Sequence, residues 1–149
     1  MNIEELSKEA SVSLLTKSRF GRLACAKGIQ PYVVPIFYAY HDGYIYSLSG
    51  LGQKVSWMRA NPFVCLEVDE IKTAQDWSSV VVFGRYEELL DTPHLRPARE
   101  LAYNLLRQPE RRWEPVLAKG TIQGEERPLL PVFYRIFVEN ITGRRALIS

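Results

Sequence analysis

Most apolar residues of this chain lie in short runs rich in Val, Ile, Phe and Tyr, which are typical of β-strands. The runs predict six strands, at residues 20–26, 30–40, 44–49, 63–71, 77–89 and 132–141. His41-Asp42-Gly43 predicts the turn of a hairpin between the second and third of them. Because the strands are mostly consecutive and joined by short connections, we expect a largely antiparallel sheet.

Three segments have features of helices. Near the N-terminus, Asn2 and Glu5 have the spacing of a capping box, which predicts a helix over the residues that follow. Residues 53–60 (QKVSWMRA) change to helical spacing and predict a second helix. Thr92 as a cap and Pro93 at the first helical position predict the start of a third.

The predicted strands at 30–40 and 77–89 carry apolar residues on both faces. A strand that is apolar on both faces is covered on both sides. We therefore expect one face to line a small closed β-barrel, and the other to be covered by a helix or a second subunit. The fold class is mainly β (α+β), and we expect one domain over residues 1–149, dimerising through a sheet face.

Composition narrows the class of protein further. The chain has 149 residues, of which 46% are hydrophobic, so it can form a core without disulfides or metal. No run reaches 18 apolar residues, which predicts no membrane-spanning helix, and a net charge of +2 is too small to indicate nucleic-acid binding. Two widely separated cysteines, and an acidic, polar N-terminus unlike a secretory signal, favour a reducing, cytoplasmic location.

Residues 108–131, which contain four prolines, predict an irregular segment.

The best candidate for chemistry is the segment SLSGLGQK at residues 47–54, which runs from a strand end into a helix start. Free N–H groups in the first turn of a helix favour a phosphate, and glycine allows close approach of the backbone. The residues that would contribute are Ser47, Ser49, Gly50 and Lys54. The alternative is a plain loop with a serine cap and a solvated lysine. The segment fits neither a P-loop nor a dinucleotide fingerprint.

Two further segments are weaker candidates for ligand contacts. In the first, Trp77 could stack on a ring and the hydroxyls of Ser78 and Ser79 could donate hydrogen bonds. A core tryptophan beside serines at a strand edge explains this segment as well. A proline inside a strand indicates a bulge, an edge or a ligand, because it lacks a ladder donor. These segments are Trp77, Ser78, Ser79 and Val80, and Val34, Pro35, Ile36 and Phe37.

Residues typical of catalysis are few, and we can name no catalytic residue. The histidines and cysteines are His41, His94, Cys25 and Cys65. None has a matched partner in the sequence, and no metal-binding spacing is present. Glu67 and Asp69 share one face of a strand and could serve as an acid–base pair, but an exposed strand face explains them equally well.

Several short motifs occur together in a specific order. They are Gly21-Arg22-Leu23-Ala24, Pro35-Ile36-Phe37-Tyr38, Ile45-Tyr46-Ser47 with Gly52 and Lys54, residues 59–65 with Glu67-Val68-Asp69, Trp77-Ser78-Ser79-Val80 with Gly84, and Ile141-Thr142-Gly143-Arg144. In this order the chain resembles the pyridoxamine 5′-phosphate oxidase-like, FMN-binding split-barrel superfamily, and most closely its branch related to nitroimidazole-resistance proteins. The match covers most of residues 20–90 and the final strand.

The resemblance implies a six-stranded antiparallel split β-barrel with two or three short helices, forming a homodimer with FMN at the subunit interface. Ser47, Ser49 and Lys54 would hold the flavin phosphate. Residues 34–37 would run along the isoalloxazine, and residues 77–80 would line the site. Arg144 would approach from the same subunit or its partner.

The function that this implies is an FMN-dependent oxidoreductase acting on a small molecule by flavin hydride transfer, with a nicotinamide as the possible electron donor. The alternatives are an F420-dependent reductase and a non-catalytic flavin- or haem-binding module. Ser47 stands where nitroimidazole-resistance relatives commonly carry histidine, so antibiotic reduction is not indicated. The C-terminus GRRALIS lacks the Arg-rich substrate motif of the vitamin B6 oxidases.

Overall fold

The described part of the chain forms a sheet of long antiparallel strands with three helices packed against it. A computed structural model describes residues 1–107, 119–122, 125–128 and 131–148. The strands in these ranges are β1 (Asn2–Glu5), β2 (Phe20–Lys27), β3 (Gln30–His41), β4 (Tyr44–Gly50), β5 (Phe63–Thr73), β6 (Asp76–Glu88), β7 (Lys119–Ile122), β8 (Glu125–Pro128) and β9 (Pro131–Leu147). The helices are α1 (Lys8–Lys17), α2 (Gln53–Ala60) and α3 (Arg96–Leu106).

Six of these strands close into a barrel, as the sequence predicted. The main sheet has the order β1-β9-β4-β3-β2-β5-β6, and β9 also pairs with β6, which joins the two ends. Strand β1 is a seventh member that pairs only with the end of β9, from Asn2 opposite Leu147 to Glu5 opposite Arg144. Every pairing is antiparallel.

Two predicted helix starts are wrong. Asn2 and Glu5 lie in strand β1, and α1 is capped by Ser7, whose hydroxyl accepts a hydrogen bond from the Ala10 N–H at 3.1 Å. Thr92 lies in a turn ahead of α3, where its carbonyl accepts from the Arg96 N–H at 2.8 Å. In both cases the local capping pattern occurs one turn or more before the residue at which the chain enters its helix.

The end of the chain also differs from the prediction. The last strand continues to Leu147, past the predicted end at Ile141, because β1 and β6 both pair with its final residues. Within the segment predicted to be irregular, β7 and β8 form a separate antiparallel pair. The other positions of that prediction, 108–118, 123–124 and 129–130, lie outside the described residues.

The barrel is split between β3 and β4. Strand β3 pairs with β2 from Gln30 to Phe37, but it pairs with β4 only over Tyr38–His41. The rest of β4, Leu48–Gly50, pairs with β9 on its other side. A gap therefore opens between the first half of β3 and the end of β4, and it explains how β3 accommodates a proline at position 35.

The helices cover the barrel at three places. Leu14 and Leu15 of α1 join the core near the start of β2, where the Tyr38 hydroxyl donates to the Leu15 carbonyl at 2.7 Å. Val55 and Met58 of α2, both fully buried, join the core near the other end of β2. Helix α3 packs outside the barrel on β3, β4 and β9.

One outer surface of the barrel carries large exposed apolar side chains. They are Phe20, Val33, Phe63 and Phe83, with exposed fractions of 65%, 59%, 64% and 46%. The strand register places all four on the outside of β2, β3, β5 and β6, and we call this surface the outer apolar face. The prediction of strands that are apolar on both sides is thus confirmed, with α3 covering one part of the outside. In the described residues no helix is long and apolar enough to cross a membrane.

Candidate functional site

The gap between β3 and β4 brings together most of the residues proposed for phosphate and ring contacts. Residues 34–37 form its edge on β3, and Ser49 and Gly50 form its edge on β4. Helix α2 begins three residues after Gly50, so Lys54 lies at the same opening. The best candidate from the sequence, the strand running into a glycine loop, and one of the two weaker ones, the proline within a strand, therefore lie at the same gap.

The side chains of residues 34–37 alternate across the sheet. Val34 and Ile36 point to the core, whereas Pro35 is exposed on the outside and Phe37 is half-buried there. Because the side chains point to the two faces, the feature that residues 34–37 present to the gap is their backbone.

The two serines are engaged with backbone carbonyls. Ser47 is fully buried, and its hydroxyl donates to the Phe37 carbonyl at 2.6 Å, which ties β4 to β3 where their pairing ends. The Ser49 hydroxyl donates to the Gly50 carbonyl at 2.8 Å. Ser47 thus stabilises the inner corner of the gap, with its proton committed to the Phe37 carbonyl.

The start of α2 has unsatisfied donors and a positive charge. Its N-cap is Gly52, so no side chain accepts from the first N–H groups, and a side chain added at Gly52 would meet open space. Lys54 is half-buried, and no carboxylate of the described residues pairs with it. Burial lowers the pKa of Lys54, while the nearby Cys25 acts in the opposite direction. A partly dehydrated ammonium beside a free helix N-terminus is suited to an anion.

A buried phenol lies deeper in the same region. Tyr134 is opposite Ser47 in the β4–β9 register, and it is fully buried. Its hydroxyl has no hydrogen-bond partner within the part of the chain that the structure describes. Burial raises the pKa of Tyr134 to about 12, with Ser47 acting in the opposite direction and Cys25 adding to the rise. Ser47, which lowers this pKa, is thus the polar side chain that the buried phenol faces.

The remaining predicted site residues lie elsewhere on the barrel. Val80 is in the core, and Trp77, Ser78 and Ser79 are half-buried on β6, with Ser79 directly opposite Arg144 of β9. Strands β2 and β5 lie between β6 and the β3 edge of the gap, and β9 lies between β6 and the β4 edge. One copy of the chain therefore does not bring Trp77 and Arg144 to Lys54.

The other reactive side chains do not form a second centre. His41 and His94 are exposed, and Cys25 and Cys65 are both free thiols. Burial raises the pKa of each thiol. Among the residues described, no group of three or more His, Cys, Asp or Glu side chains is placed to hold a metal ion.

Sequence reasoning missed Cys25 and Tyr134 as neighbours of the site. The inward positions of β2 alternate as Gly21, Leu23 and Cys25, so the strand period could have placed the thiol inside the barrel. The position of Tyr134 depends on the pairing of β9 with β4, which no local pattern specifies.

A closed barrel that is split between two strands, with a helix start at the split, defines the split-barrel class of fold. The family model described as pyridoxamine 5′-phosphate oxidase matches residues 7–145. The chain belongs to this family, and the family expected from the motifs is confirmed.

Individual similar proteins agree with this family and fold. The chain is 36% identical over 146 residues to an uncharacterised protein of Rhizobium meliloti, covering 98% of this chain and 97% of that one. It is 44% identical to an FAD-binding protein of Mesorhizobium loti whose crystal structure superposes with a TM-score of 0.80, covering 98% and 99% of the two chains. An FAD-binding protein of Mycobacterium smegmatis, 21% identical with a TM-score of 0.64, shares the fold over 95% of this chain and 98% of that one.

Proposed function

We propose that this protein binds a flavin nucleotide at the gap, with a flavin phosphate at the start of α2. The observation that carries the proposal is Lys54, which is half-buried without a carboxylate partner among the described residues and stands in the first turn of an uncapped helix. The FAD-binding protein of Mesorhizobium loti, at 44% identity over nearly the whole chain, supports a flavin as the ligand.

The contacts follow from the geometry of the gap. Lys54 and the first N–H groups of α2 bind the phosphate, and the backbone at Ser49 and Gly50 lies alongside. The backbone of residues 34–37 pairs with β2 and lies outside the β3–β4 ladder, and it runs along the isoalloxazine. These contacts require only the mononucleotide part of the ligand, FMN. The flavin supplies hydride or electron transfer, while the chain binds and orients it.

We further propose that two copies associate through the outer apolar face. Exposed aromatic and aliphatic side chains grouped on one surface are typical of an interface. In such a homodimer, Trp77, Ser78, Ser79 and Arg144 of one copy would complete the site of the other. This accounts for their separation from Lys54 within a single chain.

The activity that fits is an oxidoreductase acting on a small molecule in the cytoplasm, with a nicotinamide as electron donor. Among the described residues, few acid–base side chains lie near the gap, which favours a redox step carried by the cofactor over hydrolysis. Ser47 is fixed to the Phe37 carbonyl and is therefore not a candidate for proton transfer.

The test is to purify the full chain and measure its absorption spectrum, its native mass and the identity of any molecule released on denaturation. We expect a yellow dimer that releases a flavin and is reduced by a nicotinamide. Release of F420 or haem, or a protein that neither carries nor takes up a flavin, would refute the cofactor proposal. A bound flavin that no nicotinamide reduces and no small molecule reoxidises would instead support a non-catalytic binding module.

A further inference from the structure

A groove of about 410 Å³ lies on the outside of the barrel, between helix α3 and strand β9. Arg99 and Tyr103 of α3 and Phe133 of β9 line it, together with charged side chains near the start of the helix. Sites for small molecules typically have volumes of about 300–1,000 Å³. None of these residues takes part in the contacts proposed above for the flavin.

Two contacts hold the Arg99 side chain in this groove. Its Nη1 donates a hydrogen bond to the Leu89 carbonyl at 2.8 Å, and its guanidinium carbon lies 4.7 Å from the centroid of the Phe133 ring. Phe133 is buried in the cluster beneath α3, and Arg99 itself is half-buried. Because the guanidinium is already held on one face and at one nitrogen, a ligand that binds it has little side-chain freedom to freeze.

The other edge of the same guanidinium is free. Its donors, Nε and Nη2, have no partner in the part of the chain that the structure describes. These two N–H groups are spaced to match the two oxygens of a carboxylate. Arg59 shows that arrangement in this chain, since its Nε and Nη2 donate to the two carboxylate oxygens of Glu88 at 2.7 and 3.0 Å.

The carboxylates that line the groove leave Arg99 without a paired anion. Asp91 pairs with Arg96, with Oδ1 and Nε 3.1 Å apart. Glu100 also lines the groove and forms no ion pair with a described residue. The negative charge of Glu100 disfavours ligands that carry several negative charges, such as a phosphate monoester. The free edge of Arg99 therefore fits a ligand with a single carboxylate.

The groove also offers apolar surface beside this edge. The Tyr103 ring is exposed, and its centroid lies 6.4 Å from that of Phe133. An exposed aromatic ring next to a fixed cation can pack against an apolar or aromatic group of the ligand.

We propose that this groove binds a small carboxylic acid that carries an aromatic or other apolar group. The carboxylate accepts from Nε and Nη2 of Arg99, and the apolar group packs on Tyr103. The site belongs to α3, which supplies none of the contacts proposed for the flavin, so it does not depend on flavin binding.

The test is a titration of the full chain with phenylacetate, phenylacetamide and acetate, followed by the NMR signals of the backbone amides. Phenylacetamide lacks the charge of phenylacetate, and acetate lacks its ring. We expect phenylacetate to bind at least about tenfold more tightly than either of the others. No binding of phenylacetate, or equal binding of phenylacetate and phenylacetamide, would overturn the proposal.

Arg99→Gln removes the two free donors, so phenylacetate affinity should fall at least about tenfold. Arg107→Gln is the matched control and should leave the affinity unchanged. The Arg107 guanidinium also lies over an aromatic ring, 5.6 Å from the Tyr103 centroid, but it does not line the groove. If Arg99→Gln does not fold, Tyr103→Ala changes an exposed side chain instead and should reduce phenylacetate affinity to that of acetate.

Lys54→Met separates this groove from the proposed flavin site, because Lys54 also offers a place for an anion. We expect Lys54→Met to bind phenylacetate as the unaltered chain does. A loss of phenylacetate binding in Lys54→Met, with none in Arg99→Gln, would place the carboxylate at the start of α2 and overturn the groove. That result would leave the flavin proposal standing.

Discussion

Arg22 on β2 donates a hydrogen bond to Asp69 on β5, with Nη1 and Oδ2 3.2 Å apart. The same Nη1 lies 3.7 Å from Oε1 of Glu67, two residues before Asp69 on the same side of β5. The cluster faces outward within the outer apolar face, where Arg22 lies between Phe20 and the row that holds Val33 and Phe83. Ser79 of β6 is opposite Asp69, and Arg144 of β9 is next in that row. Two carboxylates thus share one guanidinium on a partly buried surface.

This cluster predicts a dependence of stability on pH. Burial, together with the hydrogen bond and the charge of Asp69, raises the pKa of Glu67 to about 7 from its usual value of 4.5, although Arg22 lowers it. Between these values the folded chain keeps a proton that the unfolded chain has lost, so Glu67 stabilises the fold at low pH, and this contribution disappears as pH rises through 7. We expect Glu67→Gln to raise the melting temperature at pH 8 more than at pH 5.

Thermal unfolding of the two chains across this pH range measures the effect. Glu100→Gln, which removes an exposed carboxylate on α3, is the control, and its melting temperature should change with pH in the same way as that of the unaltered chain. If the melting temperature of Glu67→Gln also follows that of the unaltered chain at every pH, the raised pKa assigned to Glu67 is contradicted.

Lys54→Met should weaken flavin binding by about 1.5–3 kcal/mol, because a charge-assisted contact to phosphate is lost while the length of the side chain is kept. Calorimetric titration of the cofactor-free chain measures the change. Lys27→Met, at an exposed lysine at the end of β2, is the matched control and should bind flavin normally. An unchanged affinity in Lys54→Met would place the phosphate elsewhere.

The barrel was predictable from sequence because its strands have strong local patterns. The hairpin of β3 and β4 follows from the Asp42-Gly43 turn, where both residues have positive φ, 48° and 83°. The predicted start of α1 was wrong because Asn2 and Glu5 pair with Leu147 and Arg144, respectively, on the last strand. A capping box carries no information about such a distant partner.

The site was predictable only in part, for a similar reason. Lys54 and the glycines before it could be identified as an anion site from local chemistry alone. The gap beside them exists because β3 and β4 pair over four residues and then part, which depends on the pairing of β9 with β4. The burial of Ser47 and of Tyr134 opposite it follows from that arrangement and has no signature in the sequence.

If two copies associate through the outer apolar face, Val33→Asp should separate them. Val33 is exposed within this face, and a carboxylate buried there without a partner costs on the order of 3–5 kcal/mol. We expect the dimer dissociation constant, measured by analytical ultracentrifugation, to rise at least about 100-fold. Flavin affinity should fall with it, because each site would lose the residues supplied by the other copy.

Ile29→Asp gives the control for this substitution. Ile29 is fully exposed in the turn between β2 and β3, outside the paired strands, so its replacement should leave the dimer intact. A Val33→Asp chain that remains dimeric and binds flavin normally would exclude this face as the interface.

Gly52→Asp should stabilise the cofactor-free protein while weakening flavin binding. A side chain at this N-cap meets open space, and an aspartate there would accept from the free N–H groups of α2 and lie near the Lys54 ammonium. The cap and its charge at the helix start should add about 0.5–1 kcal/mol to the free energy of unfolding. The same carboxylate would occupy the donors proposed for the flavin phosphate and repel the phosphate, so flavin affinity should fall at least about tenfold.

Gly52→Ala adds a Cβ without an acceptor and serves as the control, with flavin affinity near that of the unaltered chain. Chemical denaturation and flavin titration of the three chains measure both quantities. Opposite changes in stability and affinity are expected only if the start of α2 is where the anion binds; a stabilised Gly52→Asp chain with full flavin affinity would show that it binds elsewhere.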